Sequence, residues 1–171
     1  MYADQKMCYR IVRSRRDRSC RREFFFGMTE EVWDVECDDM RVEAIGKVHS
    51  PLKKREDCPR QGFEDAPEAE IEIFPAFLEG LDGLEAGREL LVLTWLHLAD
   101  RSVLKVHPRG NPGAPLKGVF ATRSPARPNP IGLHRVTLLG REGGRLRVAP
   151  LEALDGTPVA DIKPVIGERQ A

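Results

Sequence analysis

The sequence predicts a mainly β protein: a small closed barrel of six or seven short strands with few short helices. Alternating or apolar segments recur from residue 42 onward, and turns rich in Gly and Pro separate them. With 171 residues, 41% of them hydrophobic, the chain can bury one core. We therefore expect a barrel domain over residues 41–166, an arm over residues 1–40 and a short tail over residues 167–171.

The strands are predicted from alternation and from apolar runs. Residues 42–49 alternate enough for a first strand with Gly46 as a bulge, and residues 69–74 alternate apolar and acidic side chains. The apolar run 89–98 favours a buried central strand, although periodicity alone also allows a helix. The remaining expectations are one or two helical turns at residues 75–81, a turn-rich loop at 108–115, strands at 119–122, 133–139, 145–151 and 159–162, and a hairpin at Gly143–Gly144.

The segment Gly118–Gly132 places two arginines and three prolines between Arg123 and Pro130. Proline fixes φ and lacks an amide donor, so this run forms neither a helix nor a central strand. Residues before proline are extended, which displays Arg123, Arg127 and Asn129 on a stiff backbone. A stiff loop loses little entropy on binding, and the guanidinium fork suits a carboxylate or a phosphate. The alternative is a plain surface connection.

Charge is unevenly distributed although the formal net charge is zero. Residues 61–87 carry eight acidic and no basic side chains, whereas residues 101–141 carry eight basic and no acidic ones. The basic block can attract anions locally. Alternatively, the two blocks pair with each other within the fold or across a dimer.

The first forty residues differ from the rest of the chain. Residues 1–27 hold eight bases and three acids, residues 28–39 hold six acids and no base, and neither part shows a periodic apolar face. We expect a disordered or mis-called arm, with the native start at Met28 or Met40. No segment resembles a signal-peptide core or a membrane span. The four cysteines show neither a zinc nor a disulfide pattern, which favours a reducing, cytoplasmic setting.

Several familiar catalytic signatures are missing from the sequence. It contains no Walker loop, no Gly-x-Gly-x-x-Gly fingerprint and no serine nucleophile elbow. The residues His49, His107 and His134 lack metal-ligand spacing, so no metal is expected. A lone histidine at the end of an apolar run, such as His97, is more often a core residue than a functional one.

Two acidic motifs near the C-terminus have simple explanations. The composition of Asp155–Pro158 is that of a turn. Alternation places Asp161 and Lys163 on the same face of a strand, where they form either an ion pair or part of a site.

Together, these segments resemble the TsaA-like family. The matching residues lie in order between positions 42 and 164: Ile45–Pro51, Pro59–Gln61, Gly118–Gly132 and Asp155–Pro164. The resemblance implies a β-barrel that binds S-adenosyl-L-methionine without a Rossmann domain, and a homodimer with its site near the subunit interface. It also implies methyl transfer to N6 of threonylcarbamoyl-adenosine at position 37, in the anticodon loop of tRNA.

The resemblance implies site residues as well. Cofactor contacts are expected from Gln61, Gly62, Phe63, His97, Leu98, Arg123, Leu133, Leu151 and Glu152. Substrate contacts are expected from Arg60, Arg127 and Lys163. Because Asn129 is held between two prolines, we expect its side-chain oxygen to accept a hydrogen bond from the adenine N6–H, with Asp155 and Asp161 as rivals.

One departure from the family leaves the acceptor open. Longer members continue into a small C-terminal domain, whereas this chain ends seven residues after Pro164. The alternatives are a methyltransferase of a small metabolite or protein, and a non-enzymatic module that binds S-adenosylmethionine or a nucleotide.

Overall fold

The computed structural model describes residues 41–59 and 61–166. The expected arm, Arg60 and the tail after residue 166 lie outside these described residues. Six strands close into an antiparallel barrel in the order β1-β2-β7-β6-β3-β8, and two short strands form a separate ribbon. The predicted fold class is confirmed.

The strands are numbered in chain order. They are β1 Gly46–His49, β2 Ala69–Ile73, β3 Glu89–Trp95, β4 Lys105–Val106, β5 Lys117–Gly118, β6 Ile131–Glu142, β7 Arg145–Ala149 and β8 Pro158–Pro164. Short 3-10 turns occupy Arg55–Asp57, Pro75–Leu81, Pro108–Gly110 and Val119–Ala121.

The core lies inside the barrel because every second side chain of each strand points inward. In β3 and β6 the paired residues Leu90 and Val136 are almost completely buried, and so is Leu138 one step further along β6. The other strands contribute Val48, Ile71, Leu146, Val148 and Val159, each fully buried.

Three connections emerge at one rim of the barrel. Strands β1, β3 and β7 end there, and β2, β6 and β8 begin there, since all neighbouring strands are antiparallel. The β1–β2, β3–β6 and β7–β8 connections therefore meet at this rim, which we call the site rim. The ribbon β4–β5 belongs to the β3–β6 connection.

The structure corrects some element boundaries. The strand expected at residues 119–122 is a 3-10 turn, in which Val119 is 1% exposed. The ribbon β4–β5 was missed because strands of two residues carry no alternation. The hairpin at Gly143–Gly144 is confirmed, and Gly143 takes the positive φ of 56° that the turn requires.

The acidic block pairs mainly with bases outside the basic block. On the outer wall, Glu70 lies 2.6 Å from Arg145 and Glu68 lies 2.9 Å from Arg147. In the described part of the chain, one ion pair joins the two blocks, between Glu64 and an arginine at 3.6 Å. Most of the basic block is therefore not neutralised by the acidic block.

Within residues 41–59 and 61–166, no helix has the length and apolar character needed to cross a membrane.

Candidate functional site

At the site rim, the start of β6 lies beside the segment that follows β7. Strand β6 pairs with β3 from Ile131 to Thr137, but with β7 only from Thr137 onward. The first residues of β6 therefore face residues 150–154, the segment that follows β7. We call the space between residues 131–136 and 150–154 the β6 cleft.

Glu152 is the charged centre of the β6 cleft. Its side chain is 16% exposed, and its Oε1 lies 3.1 Å from Nδ1 of His134. Burial disfavours the charged form, but the imidazole of His134 and then the charge of Arg123 outweigh it and hold the pKa of the Glu152 carboxyl below its usual range. Glu152 is therefore an ionised carboxylate at neutral pH.

Thr94 occupies the last inward position of β3, and His134 occupies the second inward position of β6, after Gly132. His134 is 5% exposed and Thr94 is fully buried. Nε2 of His134 lies 2.9 Å from Oγ1 of Thr94. Nδ1 is buried and makes no well-directed hydrogen bond, although Glu152 Oε1 is within reach. The 3.1 Å contact is thus an ion-pair distance without hydrogen-bond alignment.

A glycine allows the β1–β2 connection to approach Glu152. A Cβ atom at Gly62 would lie 2.9 Å from Oε2 of Glu152 and 3.5 Å from Cγ of Pro150. The same connection is held in place by the amide of Leu151, which donates to the carbonyl of Pro67 at 3.0 Å. The backbone at residue 62 therefore forms one wall of the cleft.

Arg123 borders the cleft from the proline-rich loop. Its Nη2 donates to the carbonyl oxygen of Leu133 at 3.1 Å. The side chain of Leu133 points outward and is 45% exposed. A guanidinium thus stands beside a carboxylate at the cleft, and an exposed apolar side chain lies next to them.

Arg127 holds the proline-rich loop together. Its Nε donates to the carbonyl of Ser124 at 2.7 Å, and its Nη2 donates to those of Thr122 at 2.7 Å and Val119 at 3.1 Å. The guanidinium fork expected to bind substrate therefore contacts the backbone of its own loop.

Asn129 is exposed at the site rim, and contacts fix the backbone on both sides of it. Arg101 stacks over the Trp95 ring at 5.3 Å and donates its Nε–H to the carbonyl of Pro128 at 2.9 Å. The amide of Ile131 donates to the carbonyl of Asn129 at 2.8 Å. The side chain of Asn129 is displayed from a constrained backbone.

The two aspartates have partners of their own. Asp155 accepts the amide of Ser50 at 3.0 Å and lies 2.8 Å from Nζ of Lys53. The hydrogen bond from Lys53, followed by that from Ser50, holds the pKa of the Asp155 carboxyl below its usual range. Asp161 lies 2.7 Å from Nζ of Lys163, which is the ion pair allowed by the alternation.

Other expected cofactor residues lie at the same rim with different exposures. Phe63 is 79% exposed, Leu98 is 72% exposed and His97 is also exposed, so the interpretation of His97 as a core histidine is wrong. Gln61 lies next to Gly62 in the β1–β2 connection, and its carbonyl accepts the amide of Glu64 at 3.0 Å. The side chain of Leu151 is fully buried in the core, so only its backbone can face the cleft.

The structure thus gathers Gly62, Arg123, Leu133 and Glu152 around one cleft. Sequence reasoning missed Thr94 and His134, and it considered His134 only as a metal ligand. The alternation of β6, which places Gly132, His134 and Val136 on one face, was the available signal. In the described part of the chain, no group of three or more His, Cys, Asp or Glu side chains is arranged to hold a metal ion.

Comparison with known proteins identifies the class to which this barrel and cleft belong. The family model of the tRNA-methyltransferase O N-terminal domain matches residues 47–170. The chain belongs to this family, and the resemblance found in the sequence is confirmed.

Named relatives are similar over most of the barrel. A probable S-adenosyl-L-methionine-binding protein of Methanothermobacter thermautotrophicus is 53% identical over 126 residues, which cover 74% of this chain and 90% of that protein. An S-adenosyl-L-methionine-binding protein of Archaeoglobus fulgidus is 50% identical over 125 residues, covering 72% of this chain and 88% of that protein.

Solved structures of TrmO share the fold. The crystal structure of TrmO from Pseudomonas aeruginosa matches with a TM-score of 0.60 and 37% identity, covering 77% of this chain and 58% of that one. A further TrmO crystal structure matches with a TM-score of 0.62 and 39% identity, covering 77% and 59%. This chain therefore spans less than two thirds of the length of these TrmO structures.

Proposed function

We propose that this protein is an S-adenosyl-L-methionine-dependent methyltransferase that methylates N6 of threonylcarbamoyl-adenosine at position 37 of tRNA. The observation that carries the proposal is the β6 cleft, where an ionised Glu152 and Arg123 meet beside Gly62 in a chain of a tRNA-methyltransferase family.

The residues of the cleft fit the cofactor. The methionyl part of S-adenosylmethionine carries an ammonium and a carboxylate, and Glu152 and Arg123 offer the complementary charges. Glu152 is also suited to accept ribose hydroxyls. The exposed side chains of Phe63, Leu98 and Leu133 supply apolar surface for the adenine ring.

When bound, the cofactor supplies a methyl group already activated by a sulfonium sulfur. The protein then contributes alignment of the acceptor nitrogen and electrostatic stabilisation. We assign to Asn129 the role of a hydrogen-bond acceptor, because its side-chain oxygen can accept the N6–H of the adenine. This hydrogen bond increases the electron density on N6, which is a poor nucleophile. Asp155 and Asp161 remain rivals for this role, but each already pairs with a lysine.

The β3–β6 connection has the chemistry of an RNA-binding surface. The anticodon loop is single-stranded, so stacking and phosphate contacts are both expected there. The exposed bases Arg101, Lys105 and Lys117 supply positive charge at the site rim. Arg127 orders the loop that presents Asn129. A tRNA substrate also accounts for the expected cytoplasmic location.

Exposed apolar side chains support a homodimer that shares the site rim. Phe120 is 82% exposed, Leu104 is 62% exposed and Leu116 is 58% exposed, all on the β3–β6 connection. A concentration of large apolar side chains on a surface is typical of an association site.

The test is methyl transfer to bulk tRNA from a strain that lacks this gene. We expect the purified protein to convert threonylcarbamoyl-adenosine to its N6-methyl form, detected by nucleoside mass spectrometry. Asn129→Ala should lose turnover and keep cofactor affinity. Asn111→Ala is the matched control, because the Asn111 side chain accepts the amide of Gly113 at 3.0 Å in the turn between β4 and β5. Normal turnover by a folded Asn129→Ala variant would contradict its assigned role.

A second candidate is an S-adenosylmethionine-binding module or a methyltransferase of another substrate. The name of a relative favours it: the archaeal protein that is 53% identical to this chain is a probable S-adenosyl-L-methionine-binding protein. Cofactor binding without methylation of any tRNA, in the assay above, would support this candidate over the first.

A further inference from the structure

We propose that His134 is a positioning residue, which orients the Glu152 carboxylate for the cofactor through its Nδ1–H, and that Thr94 selects the imidazole tautomer that makes this possible. The inference rests on the proposed function, since it takes Glu152 as a cofactor contact. His134 itself touches no substrate in this account.

Placing an imidazole at this inward position costs free energy. The inward positions of the barrel are otherwise mostly apolar, and Val92, the register partner of His134, is fully buried. A buried polar group without a good hydrogen bond costs about 1–3 kcal/mol. An aliphatic side chain would fill an inward position of β6 without that cost, so packing does not explain the histidine.

The two ring nitrogens of His134 have different partners. Nε2 lies 2.9 Å from Oγ1 of Thr94, while Nδ1 lies 3.1 Å from Oε1 of Glu152. In a neutral imidazole one nitrogen carries the proton and the other accepts. If the Thr94 hydroxyl donates to Nε2, the proton must reside on Nδ1, where it faces the carboxylate.

Two glycines lie close to the three side chains. A Cβ atom at Gly132 would contact Oγ1 of Thr94 and lie 2.6 Å from Nε2 of His134. On the opposite side, a Cβ atom at Gly62 would lie 2.9 Å from Oε2 of Glu152. Backbone therefore approaches both ends of the Thr94–His134–Glu152 chain.

Once it accepts a hydrogen bond from Nδ1–H, the Glu152 carboxylate is oriented before the cofactor arrives. Nδ1 is buried without an aligned bond, so a small movement of Glu152 towards His134 completes the contact. An oriented carboxylate loses less side-chain entropy when it binds a ligand. The consequence is higher cofactor affinity, with a smaller effect on the stability of the free protein.

Two amide variants distinguish the roles of the two ring nitrogens of His134. The amide nitrogen of Asn occupies a place near Nδ1, and that of Gln a place near Nε2. We expect His134→Asn to bind S-adenosylhomocysteine nearly as well as wild type in calorimetry. We expect His134→Gln to bind about tenfold more weakly, because it lacks the donor to a charged acceptor. A role in packing alone would weaken both variants alike or neither of them.

Thr94 provides a test that leaves the histidine in place. Thr94→Val removes the hydroxyl and should lower the affinity for S-adenosylhomocysteine, whereas Thr94→Ser should preserve it. Nitrogen-15 NMR of the imidazole in the free protein should show the proton on Nδ1 in wild type and mixed tautomers in Thr94→Val. A wild-type proton on Nε2 would overturn the proposal without any ligand being present.

The outcomes separate this inference from the proposed function. If wild type binds S-adenosylhomocysteine and His134→Gln and Thr94→Val bind it equally well, the positioning role is overturned and the proposed function stands. If wild type binds neither this ligand nor S-adenosylmethionine, the proposed function is overturned and the positioning role with it.

Discussion

Arg127 and Arg123 lie four residues apart in one loop, yet the structure gives them different surroundings. The Arg127 guanidinium donates to three carbonyl oxygens of the loop itself, whereas Arg123 contacts one carbonyl and lies beside Glu152. At the scale of single residues, the first stabilises the loop and the second is available to a ligand.

Arg127→Lys should lower the free energy of unfolding by about 1–3 kcal/mol, because a lysine keeps the charge but cannot reach three carbonyls at once. Urea denaturation measures the change. Arg123→Lys is the matched variant, with little effect on stability and weaker binding of the cofactor. An Arg127→Lys variant that is fully stable, but impaired in substrate binding, would support the substrate contact that the sequence predicts for Arg127.

Glu152 should contribute stability in a defined pH range. Its folded-state pKa is lowered, so the contribution is fully present above the unfolded value of about 4.3 and is lost as the pH falls through the lower folded-state pKa. The difference in unfolding free energy between wild type and Glu152→Gln should therefore shrink in acid. Denaturation at a series of pH values tests this, with the exposed Glu85→Gln as control. A difference that stays constant from neutral pH into strong acid would contradict it.

Strand β6 carries the cleft at one end and the hairpin at the other, and two glycines show how differently these ends are packed. Gly132 faces Thr94 and His134 inside the barrel, whereas a Cβ atom at Gly140 would meet no atom within 4 Å. At the scale of this element, a side chain therefore has no room at Gly132, beside the cleft, and has room at Gly140, near the hairpin.

Gly132→Ala should destabilise the protein by about 1–3 kcal/mol through overpacking. Gly140→Ala in the same strand should change stability by less than about 0.5 kcal/mol. Thermal or urea unfolding of the two variants provides the comparison. Equal stabilities would mean that Thr94 and His134 have room to move, and the cleft would then be less rigid than the contacts indicate.

Strands such as β2 and β3 were predictable because each carries a clear alternating or apolar pattern over five or more residues. The turn at Val119–Ala121 was not predictable, because its apolar residues have the composition of a strand. The hydrogen bond that Arg127 donates to the carbonyl of Val119 belongs to the folded loop and cannot be read from the sequence. The family resemblance gave Gly62, Arg123, Leu133 and Glu152 as expected cofactor contacts, but the strand patterns did not predict the geometry of the β6 cleft. It depends on where β7 stops pairing with β6, and that register is a property of barrel closure rather than of either strand.

At the scale of the whole molecule, the formal net charge is zero, but the positive and negative side chains are unevenly distributed. The wall formed by β1, β2 and β7 is covered by paired charges, including Glu70 with Arg145 and Glu68 with Arg147. The ribbon β4–β5 carries Lys105 and Lys117 at the site rim. A protein without net charge can therefore still present a cationic surface beside its cleft.

Binding of tRNA should weaken with added salt, because each phosphate contact releases counterions. Replacing Lys105 and Lys117 together by Gln should reduce the slope of log K against log salt by about 1.4, at about 0.7 per contact with single-stranded RNA. Arg147→Gln, on the paired wall, is the control and should leave the slope unchanged. Binding that does not depend on salt would argue against an RNA substrate.

The central claim is that the β6 cleft binds a sulfonium methyl donor. Titration calorimetry of the purified, folded chain with S-adenosylmethionine and S-adenosylhomocysteine tests it most directly. The account predicts saturable binding of both, with one site per chain, and clear weakening in Glu152→Gln and Arg123→Gln. Folded wild-type protein that binds neither compound would contradict it.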